Sequence, residues 1–240
     1  MKTNSRLTHT FFALITAASV AACGADDKES KEEGSASAGD PKDPKPVVEM
    51  MTSMGSFRIE LNQKDSPITV ENFLKYVDKK HYDNTVFHRV MSTFMIQGGG
   101  FEMGDTPIEK DTLAPIRNEA KINGLKNEKY TIAMARTNAP HSATSQFFIN
   151  VVDNRSGLDA GGFSPDGYAV FGKVIDGTDV VDKIKGVPVT TKQLNSRHGG
   201  QVVPGPHQNV PVEAVVIESV RLVKKEKATA AKKEEKEAAK

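Results

Sequence analysis

What most limits the folds open to this chain is a succession of short β-prone runs, each broken by turn residues, with only two stretches at helical spacing. Phe57, Ile59 and Leu61 alternate with Arg58 and Glu60, the period of a half-buried strand. Residues 47–61 read as two strands around Thr52-Ser53-Met54-Gly55, and Tyr130, Ile132 and Met134 alternate in the same way. Further strands are expected at 146–152, 168–175 and 212–223, all rich in β-branched and aromatic residues. Asp65-Ser66-Pro67 is a helix start, a capping side chain followed by proline in the first turn. Val70, Phe73, Leu74 and Val77 then follow at helical spacing, and Val180, Val181 and Ile184 suggest a second, shorter helix after Gly177. Glycine, proline and polar clusters mark 101–127, 136–145, 155–167 and 187–211 as loops. The expected fold is mainly β, an antiparallel barrel with helical covers.

The ends of the chain have a different composition. Lys2 and Arg6 precede a short apolar run over 11–20, too short to span a bilayer. Val20-Ala21-Ala22-Cys23 then places small residues before the only cysteine of the 240-residue chain. This resembles the lipobox of bacterial lipoproteins, so 1–22 is expected to be a cleaved signal and Cys23 a lipidation site that ties the protein to a membrane. Residues 23–46 hold almost no large apolar side chain and read as a flexible tether. The globular domain is expected over 47–223, without a thiol, and must hold together by packing alone. Residues 224–240 are Lys, Glu, Ala and Thr only, a frayed helix or disordered tail. The formal net charge of +1 gives no reason to expect nucleic acid as a partner. A monomer outside the cytoplasm is expected, on the periplasmic side or at the cell surface.

The chemistry concentrates in Phe87-His88-Arg89-Val90 and in Phe94-Met95-Ile96-Gln97-Gly98-Gly99-Gly100. An arginine among Phe, Val and Met is costly unless it is paired, reaches water or acts on a ligand. No carboxylate lies within the stretch to pair it. The chain lacks a Gly-x-Ser-x-Gly elbow and a phosphate-binding Gly-Lys-Ser/Thr loop. Its six histidines lack the spacing of a zinc helix, so neither metal nor cofactor is expected. Glu119 is a lone acid, better suited to a structural hydrogen bond than to acid–base work. What remains is an arginine, glutamines and apolar side chains. That set suits rotation about an X–Pro peptide bond, whose barrier of roughly 18–20 kcal/mol is lost amide resonance. In the twisted state the proline nitrogen gains a lone pair, and a guanidinium placed there binds that state better than the planar one.

Four blocks occur in a fixed order: Phe87-His88-Arg89-Val90, Phe94-Met95-Ile96-Gln97-Gly98-Gly99, Ser145-Gln146-Phe147-Phe148-Ile149 and Val170-Phe171-Gly172-Lys173-Val174. Together they resemble the signature of cyclophilins, the cyclosporin-type peptidyl-prolyl cis-trans isomerases. Asn118-Glu119 and Met134-Ala135-Arg136 are similar to the bacterial exported branch. The resemblance implies an eight-stranded antiparallel barrel capped by two α-helices, with the site on its outer face. It implies that Arg89 is catalytic and that Gln97 orients it and touches the substrate. Phe94, Met95 and Phe148 match the proline pocket, with Leu158 at its rim and Tyr168 where many members carry histidine. Gln146 matches a second glutamine, and Ala135 and Arg136 match the segment whose backbone pairs with the substrate chain. The partners implied are proline-containing segments of exported proteins. Gly157, where many members carry a large aromatic, removes one wall of the pocket. A cyclophilin-like module that binds such segments without turnover is the alternative.

Overall fold

The structure is a computed structural model that describes residues 45–223. The expected signal, Cys23 with the tether up to residue 44, and the tail over 224–240 lie outside the described residues. The described chain forms strands β1 (Val47–Thr52), β2 (Gly55–Leu61), β3 (Thr85–Val90), β4 (Met95–Glu102), β5 (Ile108–Glu109), β6 (Thr131–Met134), β7 (Phe147–Asn150), β8 (Val170–Asp176), β9 (Val189–His198), β10 (Gln201–Pro211) and β11 (Val216–Leu222). Helix α1 (Pro67–Asp78) follows β2, a single turn α2 (Arg155–Leu158) follows β7, and α3 (Thr178–Lys185) follows β8.

Eight of the strands close on themselves in the order β4-β3-β11-β1-β2-β8-β6-β7, with the last pairing back to β4. Every neighbouring pair in that ring is antiparallel. The alternation of the sequence becomes inside against outside. Val48 and Met50, Phe57, Ile59 and Leu61, Ile132 and Met134, and Phe147 and Ile149 all join one buried cluster inside the barrel. Closure leaves these strands no free edges, which suits a fold without disulfides. The two ends of the described domain lie side by side, since the Val223 N–H donates to the Val47 carbonyl at 2.8 Å.

The two longer helices close the barrel with apolar faces. Phe73 of α1 packs among Tyr82, Phe147 and Phe171, with ring centroids 5.0, 6.0 and 5.1 Å away. Val180, Val181 and Ile184 of α3 are buried in the same cluster. Pro67 occupies the first turn of α1 as expected, but the Ser66 hydroxyl does not cap the helix. It donates instead to the Val170 carbonyl at 2.7 Å. The cap comes from Glu119, whose carboxylate accepts the Ile68 and Thr69 N–H groups at 3.2 and 2.8 Å and the Thr69 hydroxyl at 2.6 Å. An anion at a helix N-terminus satisfies donors that the helix cannot and complements its dipole.

Besides the cap at Ser66, the expected loops are corrected: 101–127 holds the end of β4 and β5, 155–167 opens with α2, and the largest change lies in 187–211. Residues 187–211 do not form a loop; they contain β9 and β10, paired antiparallel from Val189 opposite Pro211 to His198 opposite Gln201. Gly199 and Gly200 make the turn with φ of 58° and 83°, the left-handed values that a two-residue hairpin of this kind needs. Pro204 and Pro206 lie on β10, at the outer edge of the sheet, where a missing N–H breaks no ladder. The hairpin attaches through β5, which pairs antiparallel with β4 and parallel with β9. Leu194 and Val210 anchor it over Val86 and Phe101 in a second buried cluster.

Candidate active site

Arg89 owes its position to a bulge. Phe87 and Val90 both face the barrel core, although strict alternation would put only one of them there. The register of β3 against β4 shifts on both sides of Phe87, so His88 and Arg89 are both turned off the core face. Bulges re-aim side chains in this way beside functional sites. Arg89 is half-buried and stands opposite Gln97 on β4. Among the described residues its guanidinium has no hydrogen-bonding or ionic partner.

Beside it lies a third apolar cluster, separate from the barrel core. It is built from Met95, Phe148, Leu158, Ala133 and Val170, with Phe94, Ala135, Tyr168, Met91 and Leu125 packed against it. The structure thus brings together Phe94, Met95, Ala135, Phe148, Leu158 and Tyr168 from five separated places in the chain. Leu125, Met91, Ala133 and Val170 were not foreseen. Strand alternation is the reason for the arrangement, since Met95 and Phe148 point outward where Ile96 and Phe147 point inward. Phe148 and Tyr168 meet edge to face, 5.7 Å between centroids. A Cβ at Gly157, next to Leu158 of the cluster, would meet nothing within 4 Å.

A buried amide network holds the segments that bear the cluster. The Asn154 side-chain amide donates to the Phe94 carbonyl at 2.8 Å and to Asn150 Oδ1 at 2.7 Å. Asn150 donates to Asn127 Oδ1 at 3.2 Å, and Asn127 donates to Asp159 Oδ1 and the Tyr168 carbonyl at 3.0 and 3.2 Å. Phe94, Leu158 and Tyr168 are thereby tied to one frame. Buried polar groups rigidify a site when every member is bonded, as these are.

The two glutamines are joined, Gln97 Nε2 donating to Gln146 Oε1 at 2.9 Å. The Ala135 N–H is taken by the Gln146 carbonyl at 2.9 Å. Among the described residues the Ala135 carbonyl and the Arg136 N–H have no partner, which leaves one acceptor and one donor for an extended chain. The Arg136 side chain is occupied. Its Nε donates to the Gly167 carbonyl at 3.0 Å, Nη1 to the Thr137 carbonyl at 2.9 Å and Nη2 to Ser164 Oγ at 2.8 Å, and it lies over the Tyr168 ring at 4.4 Å. His88 is turned away from the site and packs against Phe101, the two rings tilted by 49° with centroids 4.7 Å apart. Burial pushes its pKa down to about 3, with His207 adding to the effect.

Comparison with known proteins gives a consistent picture. The family described as cyclophilin type peptidyl-prolyl cis-trans isomerase/CLD matches residues 47–222. The chain is 56% identical over 181 residues to peptidyl-prolyl cis-trans isomerase cyp18 of Streptomyces antibioticus, covering 74% of this chain and 98% of that one. It is 52% identical over 180 residues to a peptidyl-prolyl cis-trans isomerase of Acinetobacter baylyi, covering 73% and 85% respectively. A crystal structure of a Cryptosporidium parvum cyclophilin type isomerase, in the presence of the dipeptide Ala-Pro, shares the fold. Its TM-score is 0.52 at 24% identity, over 74% of this chain and 98% of that one.

Proposed function

Because the chain belongs to the cyclophilin-type peptidyl-prolyl cis-trans isomerases and is an isomerase of that type, we propose that Arg89 is the group that lowers its barrier. The observation that carries this reading is a guanidinium without a hydrogen-bonding or ionic partner among the described residues, at the edge of an outward-facing apolar cluster. A proline ring seats against Phe94, Met95, Phe148 and Leu158 and displaces water. The extended chain around it bonds to the free Ala135 carbonyl and Arg136 N–H. As the X–Pro bond twists, resonance is lost and the proline nitrogen becomes pyramidal. Arg89 then donates a hydrogen bond to a lone pair that the planar amide does not offer. No bond is made or broken and no proton is transferred. An acceleration of about a hundred-thousandfold corresponds to about 7 kcal/mol of preferential binding of the twisted state. A charge-assisted hydrogen bond in a desolvated site supplies a large share of it. Gln97, opposite Arg89, orients the guanidinium and touches the substrate.

The test is a chromogenic prolyl-peptide assay on wild type and Arg89→Ala. The variant should lose about 10²–10³ in kcat/KM, the usual effect of removing one transition-state donor. A variant that matches wild type would refute the role given to Arg89, and peptide binding without turnover would favour the non-catalytic module.

The natural substrates in this reading are proline-containing segments of exported proteins as they fold. The protein acts as a monomer, fixed to the outer side of a bacterial membrane through lipid on Cys23. The support is the order of basic start, apolar run and Val20-Ala21-Ala22-Cys23. Cys23→Ser should move the protein from the membrane fraction to the soluble fraction. A variant that stayed with the membrane to the same extent would end the lipid-anchor assignment.

A further inference from the structure

The hydrogen bond between the two glutamines belongs to a longer chain. Gln97 Nε2 donates to Gln146 Oε1 at 2.9 Å, and Gln146 Nε2 donates to Glu109 Oε1 at 3.1 Å. The other carboxylate oxygen of Glu109 accepts the backbone N–H of Arg197 on β9 at 2.7 Å. Arg197 Nε in turn donates to the Glu109 carbonyl at 2.8 Å, which fixes β5 against β9. The hairpin that lies outside the closed barrel therefore reaches the site through one acidic residue.

A carboxylate can only accept hydrogen bonds, whereas an amide can present either end. Glu109 thus gives the chain a single direction. Gln146 must turn its NH₂ toward Glu109, so its oxygen faces Gln97. Gln97 must answer with its own NH₂, so its oxygen faces away from the relay. That oxygen has no donor among the described residues, and Arg89 is the cross-strand neighbour of Gln97. An acceptor in that place can hold a guanidinium, while an NH₂ group there would set a donor beside a cation.

We propose that Glu109 is a positioning residue for catalysis, one that sets the polarity of the Gln146 and Gln97 amides so that Gln97 offers its carbonyl oxygen on the side of Arg89. The proposal rests on the reading of Arg89 and Gln97 given above. It makes an unusual demand of the isosteric change Glu109→Gln. The Arg197 N–H cannot turn, so the new amide must give it its oxygen. Its NH₂ then faces Gln146, which must reverse, and Gln97 must reverse after it. Glu109→Met removes the acceptor without supplying a donor and leaves both orientations open to the glutamines.

The experiment uses the full-length chain and three proteins: wild type, Glu109→Gln and Glu109→Met. Glu109→Gln should lower kcat about tenfold with KM little changed, since the affected interaction acts in the twisted state. Glu109→Met should lower it less, by about threefold. A merely structural role predicts the opposite order, because Met forfeits every hydrogen bond that Gln keeps in part. Finding that order, or a Glu109→Gln activity within about twofold of wild type, would overturn the proposal. Side-chain amide resonances give a readout independent of turnover. Glu109→Gln should shift those of both Gln146 and Gln97, and a shift confined to Gln146 would also overturn it. If Arg89→Ala proved as active as wild type, the catalytic reading would fall, while the amide spectrum would still decide whether Glu109 sets the relay.

Discussion

A Cβ at Gly100 would lie 2.5 Å from Cγ of Gln146 and 2.7 Å from its Cδ and Nε2. The third glycine of Gly98-Gly99-Gly100 therefore makes room for a site residue. Gly100→Ala should push the Gln146 side chain out of its bonds to Gln97 and Glu109. We expect kcat/KM to fall about tenfold or more, with a cost in stability of only about 1–2 kcal/mol, because the crowded atoms end a flexible side chain. Paired prolyl-peptide assays and denaturant melts separate the two effects. The same residues show what could be read from the chain alone. Arg89 stood out because a cation among apolar side chains requires an explanation, whereas Phe94, Met95, Gln97, Gln146 and Phe148 were assigned to the site by resemblance to cyclophilin signature blocks. Glu109 did not, because its partners Gln146 and Arg197 are 37 and 88 residues away along the chain. A lone glutamate between Ile108 and Lys110 carries no local sign of such partners. The occupied side chain of Arg136 was equally hidden, since its acceptors at Gly167 and Ser164 belong to a loop whose path the sequence does not specify.

Among the elements, those whose alternation is enforced by the barrel core were legible, and those outside it were not. β1, β2, β6 and β7 place every second side chain in one buried cluster, so their period is written in the apolar residues. β9 buries only Leu194, and β10 only Val210 and Pro211 at its end, so the hairpin has no apolar period to read. Its one clear signal was the Gly199-Gly200 pair at the turn, which the prolines of β10 obscured by suggesting loop. The N-terminus of α1 teaches a related lesson. Ser66 has the right chemistry for a cap, but the Val170 carbonyl and the Asn123 side chain claim its hydroxyl. Glu119, coming from 50 residues further on, takes over the helix donors. Local capping rules weigh only neighbours in sequence, and here the competition was settled by neighbours in space.

For the whole molecule, two histidines link folding to acidity. His88 is 4% exposed, and its Nδ1 has no hydrogen-bond partner among the described residues. Its pKa is held at about 3 by burial, and that of His81 at about 4 by burial and then by the nearby Lys110. The unfolded chain carries both near the ordinary value of about 6.5. Between about 6.5 and these lowered values the unfolded state binds protons that the folded state refuses, so stability declines as pH falls through that window. His88→Phe should flatten the decline in melting temperature between about pH 6.5 and 4 relative to wild type. Equal slopes in the two proteins would show that His88 is not a source of the linkage. The aromatic replacement keeps a ring contact with Phe101 and removes the unbonded nitrogen.

The hydrogen bond from Val223 to Val47 has a consequence for the order of the strands along the chain. β1 and β11 are direct neighbours, paired from Val48 opposite Leu222 onward. The domain is therefore a ring in its connectivity as well as in its cross-section, and the place where the polypeptide starts is incidental to its architecture. Joined by a short linker at Val47 and Val223, the same succession of strands could begin instead at the exposed Gly199-Gly200 turn. Such a circular permutant would keep every barrel pairing while moving both ends of the chain to the tip of the hairpin.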